Sequence, residues 1–284
     1  MLVKSFEKEY KNYGRCICLE AEDIILMATL EFGPRIIYFG HKDEENILFE
    51  DIDREFTLDV EGYGTWYTYG GHRLWRSPEI VPETYFPDNA KVSYTFENNV
   101  LRLTAEPTPF GTQYSIIVKI NYDGSVDIEN RIKNVSDKPL KFAPWSITGL
   151  APGGTEYIKL NTQDTGYLPN RTIGLWPYSK INDSRFTLSD DEVVLRQDPN
   201  VPEAFKVGLN VVNGHVEYIR NNQTYIKKFE DYNPDYHYPD FACNFETYTN
   251  GKFIECEIVG DEREYLPGED AVIKETWIII KNGV

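Results

Sequence analysis

Strand-length runs of β-branched and aromatic residues recur along this chain, and small turn-forming pairs separate them. Asn98-Asn99, Asp123-Gly124, Asn213-Gly214 and Asn250-Gly251 each stand between two such runs. Asparagine and glycine tolerate the positive backbone angles of tight hairpin turns, so each pair reads as a hairpin signal. No long segment places apolar residues at three- and four-residue spacing, which an amphipathic helix requires. The combination predicts an all-β fold: a large antiparallel β-sandwich in which residues 1–284 form a single domain. All-β domains of this length are common.

In chain order the pattern predicts strands over 15–20, 24–29 and 35–39. Hairpins are expected from 91–96 with 100–105, 114–120 with 125–133, 205–212 with 215–220, and 242–249 with 252–259. A strand at 140–148 and a closing strand at 271–280 complete the set. Between them, 161–202 is rich in turn residues and reads as a long excursion across a sheet.

A formal net charge of −17 narrows the partners. Such a surface repels phosphate backbones and anionic lipid, so neither nucleic acid nor a membrane surface is expected as a partner. No stretch has the apolar length of a signal sequence or a membrane span, and the expected location is the cytoplasm. Cys16, Cys18, Cys243 and Cys256 lack paired zinc-ligand spacing and read as reduced core residues, so no metal is expected. Nucleotide loops and the serine-hydrolase elbow are also missing.

The Asn250-Gly251 pair allows a register to be worked out. A two-residue turn pairs Thr249 with Lys252 and sets Glu246 opposite Glu255. Alternation puts Cys243, Phe245, Thr247, Ile254, Cys256 and Ile258 on a core face, and Asn244, Glu246, Tyr248, Phe253, Glu255 and Glu257 on the other. Two carboxylates facing each other raise the tendency of one to hold a proton, which suits general base work by Glu246. By the same parity rule Lys206 falls on the polar side, with Val207, Leu209 and Val211 opposite. The plain alternative for all of these is a solvated sheet face.

Another segment, YGGHRLWRSPEIVPETYFPDN, is too proline-rich for a core strand and too aromatic for a free loop. Gly70 and Gly71 permit a sharp turn that aims His72 and Arg73 into a cleft. His237 lies in a second aromatic, proline-containing stretch just before Glu246. Trp145, with Trp66, Trp75 and Trp176, offers flat faces of the kind that stack on sugar rings.

Three segments, GGHRLW, NFETYTNGKFIECEIVG and LPGEDAVIKETWIII, together resemble the galactose mutarotase-like superfamily, the aldose 1-epimerases and their relatives. The resemblance implies a β-supersandwich whose concave face binds a mono- or oligosaccharide, with no cofactor. It implies that Glu246 is the base that takes the anomeric proton, while an acid protonates the ring oxygen. Arg73 and His72 would hold sugar hydroxyls, with Trp145 and Lys206 as further substrate contacts. The superfamily usually carries its acid histidine on a middle strand, where this chain has Ala143-Pro144-Trp145. The acid is then His72 or His237, or the protein binds carbohydrate without turning it over. A hydrolase or lyase would need a second acid, or a tyrosine or lysine base, at the same place.

Overall fold

The computed structural model describes residues 2–283. Two sheets, of eleven and ten strands, face each other, with a two-stranded ribbon of Thr57–Val60 and Gly64–Tyr67 beside them. The first sheet runs Lys4–Glu9, Arg15–Ala21, Ile24–Thr29, Ile36–His41, His72–Ser77, Leu140–Leu150, Ile254–Val259, Phe245–Thr249, Phe205–Leu209 and Ile173–Leu175, with Arg263–Tyr265 paired to one end of Leu140–Leu150. Neighbouring strands in this order pair antiparallel. Helix among the described residues is confined to one 3-10 turn, Lys11–Tyr13.

The core fills the space between the sheets. Leu19, Leu26, Phe39 and Phe245 from the first meet Leu101, Ile116, Val118 and Trp277 from the second. Phe39 lies 5.5 Å from Trp277, and Phe229 stacks on Phe245 at 5.7 Å. Full burial of each such side chain contributes roughly 1.5–3 kcal/mol.

The expected all-β sandwich is what forms, and several turns follow their residues. Asn98 and Asn99 both adopt positive φ, at 53° and 61°, between strands that pair Glu97 with Val100. Asn213-Gly214 behaves differently from expectation. Phe205–Leu209 already has partners on both edges, Ile173–Leu175 and Phe245–Thr249, so no edge is left for the strand that follows. His215–Arg220 instead joins the ten-stranded sheet between Thr155–Lys159 and Gln223–Phe229. The turn is a crossover between sheets.

Asn250-Gly251 does close a hairpin, but with a longer loop. Thr249 pairs with Ile254, leaving residues 250–253 outside the ladder. The Asn250 side chain causes this: its Oδ1 accepts the backbone N–H of both Lys252 and Phe253. The register moves by two residues, so Glu246 opposes Glu257 and Glu255 opposes Tyr248. A shift of two preserves every face assignment. The 161–202 excursion also carries more structure than expected: Ile173–Leu175 extends the first sheet, and Phe186–Leu188 and Glu192–Arg196 extend the second.

The turn before His72 depends on Gly71. Its φ is 69°, and a Cβ there would lie 2.2 Å from the Ile36 carbonyl oxygen. Gly62 shares a positive φ of 79° but faces open space. Gly71→Ala should therefore unfold in urea at clearly lower concentration than Gly62→Ala, whose loss comes from backbone strain alone, on the order of 1–3 kcal/mol. Equal midpoints would show that the close approach at residue 71 is not constraining.

Candidate functional site: a carboxylate-rich cleft

Strand alternation decides what reaches the outer face of the first sheet. On His72–Ser77, His72 points inward and Arg73 and Trp75 point outward. Phe205–Leu209 contributes Lys206 outward, and Leu140–Leu150 contributes Trp145. The hairpin brings Glu246 and Tyr248 on one strand and Glu255 and Glu257 on the other. Arg73, Trp75, Trp145, Lys206, Tyr248, Glu255 and Glu257 line a cleft of about 440 Å³, walled further by Trp66, Tyr85 and Tyr178. That volume is in the range of small-molecule sites.

The aromatic wall is continuous. Trp75 stands 5.3 Å from Trp66, 4.9 Å from Tyr85 and 5.5 Å from Trp145, ring centre to ring centre. Both cations of the cleft lie against it. The Arg73 guanidinium sits 4.2 Å from the Trp75 ring, and the Lys206 ammonium 4.7 Å from Trp145 and 4.6 Å from Trp176. Ser179 fixes the Lys206 backbone from the excursion: its hydroxyl accepts the Lys206 N–H at 2.8 Å and donates to the Lys206 carbonyl at 2.7 Å.

Each cation is also held by carboxylate. Arg73 Nη1 donates to Glu255 Oε1 at 3.0 Å. Lys206 Nζ lies 2.6 Å from Glu246 Oε2 and 3.0 Å from Glu257 Oε2, and Trp145 Nε1 donates to the same Glu257 oxygen at 2.8 Å. Lys206, Glu246 and Glu257 are all nearly inaccessible to solvent. Two buried carboxylates thus share one ammonium. Burial pushes the Glu246 carboxyl up to about 8, with Lys206 pulling the other way and Glu257 adding to the rise. Burial raises Glu257 as well, against Lys206 and with help from Glu255. Burial works against the charged lysine, but Glu257 and Glu246 outweigh it and hold Lys206 well above the ordinary lysine range.

Arg73, Trp145 and Lys206, expected as substrate contacts, line one cleft. Glu246 is on the expected face but stands behind Lys206 and does not line the cleft; Glu257 and Glu255 do. His72 is a correction. It is fully buried between the sheets, where Nδ1 meets Thr148 Oγ1 and Nε2 meets Asn130 Oδ1, each at 2.8 Å. The glycine turn was expected to aim His72 and Arg73 at one cleft, but adjacent residues of a strand face opposite sides. Burial pushes the His72 imidazole down to about 4, so it is neutral at pH 7. His237 is a second correction. It is exposed, pairs with Glu262 at 2.9 Å, and is not among the cleft-lining residues.

Some further cleft residues are legible in the sequence in part. Glu257 shares the parity of Glu246, and the register alone would have paired them had the loop been counted as four residues. Tyr85 and Tyr178 arrive from irregular segments, for which periodicity gives no signal.

No family model matches the sequence, and no curated protein matches it. Solved structures do match the fold. A TPR-domain containing protein from Parabacteroides distasonis ATCC 8503 aligns with a TM-score of 0.64 at 14% identity, over 95% of this chain and 48% of that one. This chain thus spans about half of that protein. A galactose mutarotase-like protein from Lactobacillus casei ATCC 334 aligns at 0.59 and 8% identity, covering 93% of this chain and 100% of that one. Another, from Clostridium acetobutylicum, aligns at 0.54 and 12% identity, over 98% and 99%. The chain has the galactose mutarotase-like fold.

Removing Lys206 leaves two buried carboxylates facing each other. Lys206→Met should lose about 3–5 kcal/mol in chemical denaturation, and more at pH 8 than at pH 5, where protonation relieves the repulsion. A loss below about 1 kcal/mol at both pH values would mean that the ammonium is not holding the pair. Glu246 gives a separate test. Between its ordinary value of 4.5 and about 8 the folded protein keeps a proton that the unfolded chain has released. Its contribution to stability then falls as pH rises through that window. Glu246→Gln should flatten the corresponding part of the melting-temperature profile; an unchanged slope would show that Glu246 is already ionised at pH 5.

Proposed function

We propose that the cleft binds the ring of a sugar and that its carboxylates run proton transfer at the anomeric carbon. The observation that carries this reading is the Glu257–Lys206–Glu246 cluster at the floor of an aromatic-walled cleft. Aromatic faces pack against the C–H surface of a sugar, and carboxylates accept its hydroxyl protons in strong charge-assisted hydrogen bonds. The fold shared with galactose mutarotase-like proteins supports a carbohydrate-related role.

Within that reading, Glu257 takes the anomeric hydroxyl proton. Its hydrogen bonds from Trp145 and Lys206 both fall on Oε2, so Oε1 is the oxygen for substrate. As the C1–ring oxygen bond breaks, the Lys206 ammonium delivers a proton to the ring oxygen, and Glu246 resupplies it from behind. The aldehyde turns, and the steps reverse on its other face. Glu246, assigned from the resemblance as the direct base, becomes the proton reserve, because Lys206 stands between it and the cleft. The ligand is a mono- or oligosaccharide, and residues 1–284 act as one domain.

Anomer exchange followed by NMR on a panel of aldoses tests this. Glu257→Gln should slow exchange by about 10²–10⁴-fold, the usual worth of a positioned acid or base, and Glu246→Gln by less. Exchange by Glu257→Gln at the wild-type rate would exclude the proposed base. A second reading, carbohydrate binding without turnover, is favoured by the lack of any histidine among the cleft-lining residues. Sugar binding in calorimetry without anomer exchange would select it.

A further inference from the structure

We infer that the cleft rejects anionic ligands, so that any sugar it takes is uncharged or carries an amine, not a phosphate or a uronate. This rests on the sugar reading for the class of ligand; the charge argument stands apart from it. Arg73 and Lys206 suggest a phosphate or carboxylate receptor at first sight. Both are already neutralised. Arg73 is bonded to Glu255 at 3.0 Å, and Lys206 is shared between Glu246 and Glu257 at 2.6 and 3.0 Å. Aromatic rings cover part of what remains: Trp75 lies against Arg73, and Trp145 and Trp176 against Lys206.

The lining as a whole is acidic. It carries Glu55, Glu79, Glu255 and Glu257 against Arg73 and Lys206, four carboxylates to two cations, with Glu246 behind. Glu55 also meets Lys252, which is not among the lining residues. Glu79 is exposed and accepts the Tyr85 hydroxyl, and among the described residues it pairs with no cation. An anion entering must displace a carboxylate from a buried ion pair or stand beside one unscreened, and low-dielectric walls strengthen either repulsion. A protonated amine meets the opposite field beside aromatic faces that favour cations.

The cleft holds Trp66, Trp75 and Trp145, so tryptophan fluorescence reads its occupancy. Glucose, glucosamine, glucose 6-phosphate, glucuronate and inorganic phosphate are titrated at low salt into the full chain. Glucose and glucosamine should bind at least about tenfold tighter than the two anionic sugars, with inorganic phosphate silent, and added salt should narrow the gap. Glu255→Gln releases the Arg73 guanidinium and should raise anion affinity at least about tenfold relative to glucose. Glu79→Gln, which disturbs no buried pair, should shift the ratio the same way, and decides the matter if the first variant does not fold. Wild-type binding of glucose 6-phosphate or phosphate as tight as glucose, weakening as salt rises, would overturn the inference. If no sugar binds, phosphate is silent, and Glu255→Gln or Glu79→Gln gains phosphate binding, the sugar reading fails while anion rejection stands.

Discussion

Side-chain alternation along the cleft-bearing strands of the eleven-stranded sheet is the constraint from which the rest of this structure follows. Each strand sends one residue of a consecutive pair to the outer face and the other to the space between the sheets. Arg73 goes out and His72 in; Lys206 out and Val207 in; Glu246 out and Thr247 in; Glu257 out and Cys256 in. No side chain on these strands can serve both layers. The cleft chemistry is therefore fixed by parity, and a single-residue slip in any strand would exchange charge for hydrocarbon.

The same rule gives the protein a second polar layer under the first. Lys227 and Glu275, from the ten-stranded sheet, form a fully buried pair at 3.0 Å. Lys227 also donates to Thr148 Oγ1 at 2.6 Å and to the Cys256 carbonyl at 3.0 Å, and Asn130 Nδ2 donates to Glu275 Oε1 at 2.6 Å. Burial alone would raise the Glu275 carboxyl, but Lys227 and His72 hold it down at about 2. His72 completes the array through Thr148 and Asn130, and its burial keeps it neutral. Residues 72 and 256 adjoin Arg73, Glu255 and Glu257, so the layer anchors the backbone that carries the cleft. The shifts of Glu246 and Glu275 run in opposite directions: Lys227, His72 and the Trp277 N–H together overcome burial at Glu275, whereas at Glu246 burial outweighs Lys206, which Glu257 also shares.

Much of this was legible in the residues. The lack of helical spacing and the turn pairs gave the fold class, and parity placed Glu246, Lys206, Glu255 and Glu257 on one face. What failed depended on information that is not local. Asn213-Gly214 has hairpin chemistry, yet the edge it would have paired along is taken by strands remote in sequence. Asn250 lengthens its own loop through side-chain bonds that composition does not announce. His72 and Arg73 follow the same glycine turn, and alternation sends them to opposite sides of the sheet. The polar face was readable as polar; that it is buried, with one lysine between two acids, depends on Trp145 and Trp176 arriving from other parts of the chain.

We propose that this protein meets a sugar on the outer face of the eleven-stranded sheet, at Lys206 and its two glutamates. A crystal soaked with a neutral aldose tests it most directly. The ring is expected against Trp75 or Trp145, with hydroxyl oxygens within hydrogen-bonding distance of Glu255 and Glu257. A ring bound elsewhere, or an empty cleft at sugar concentrations that saturate the protein in solution, would contradict it.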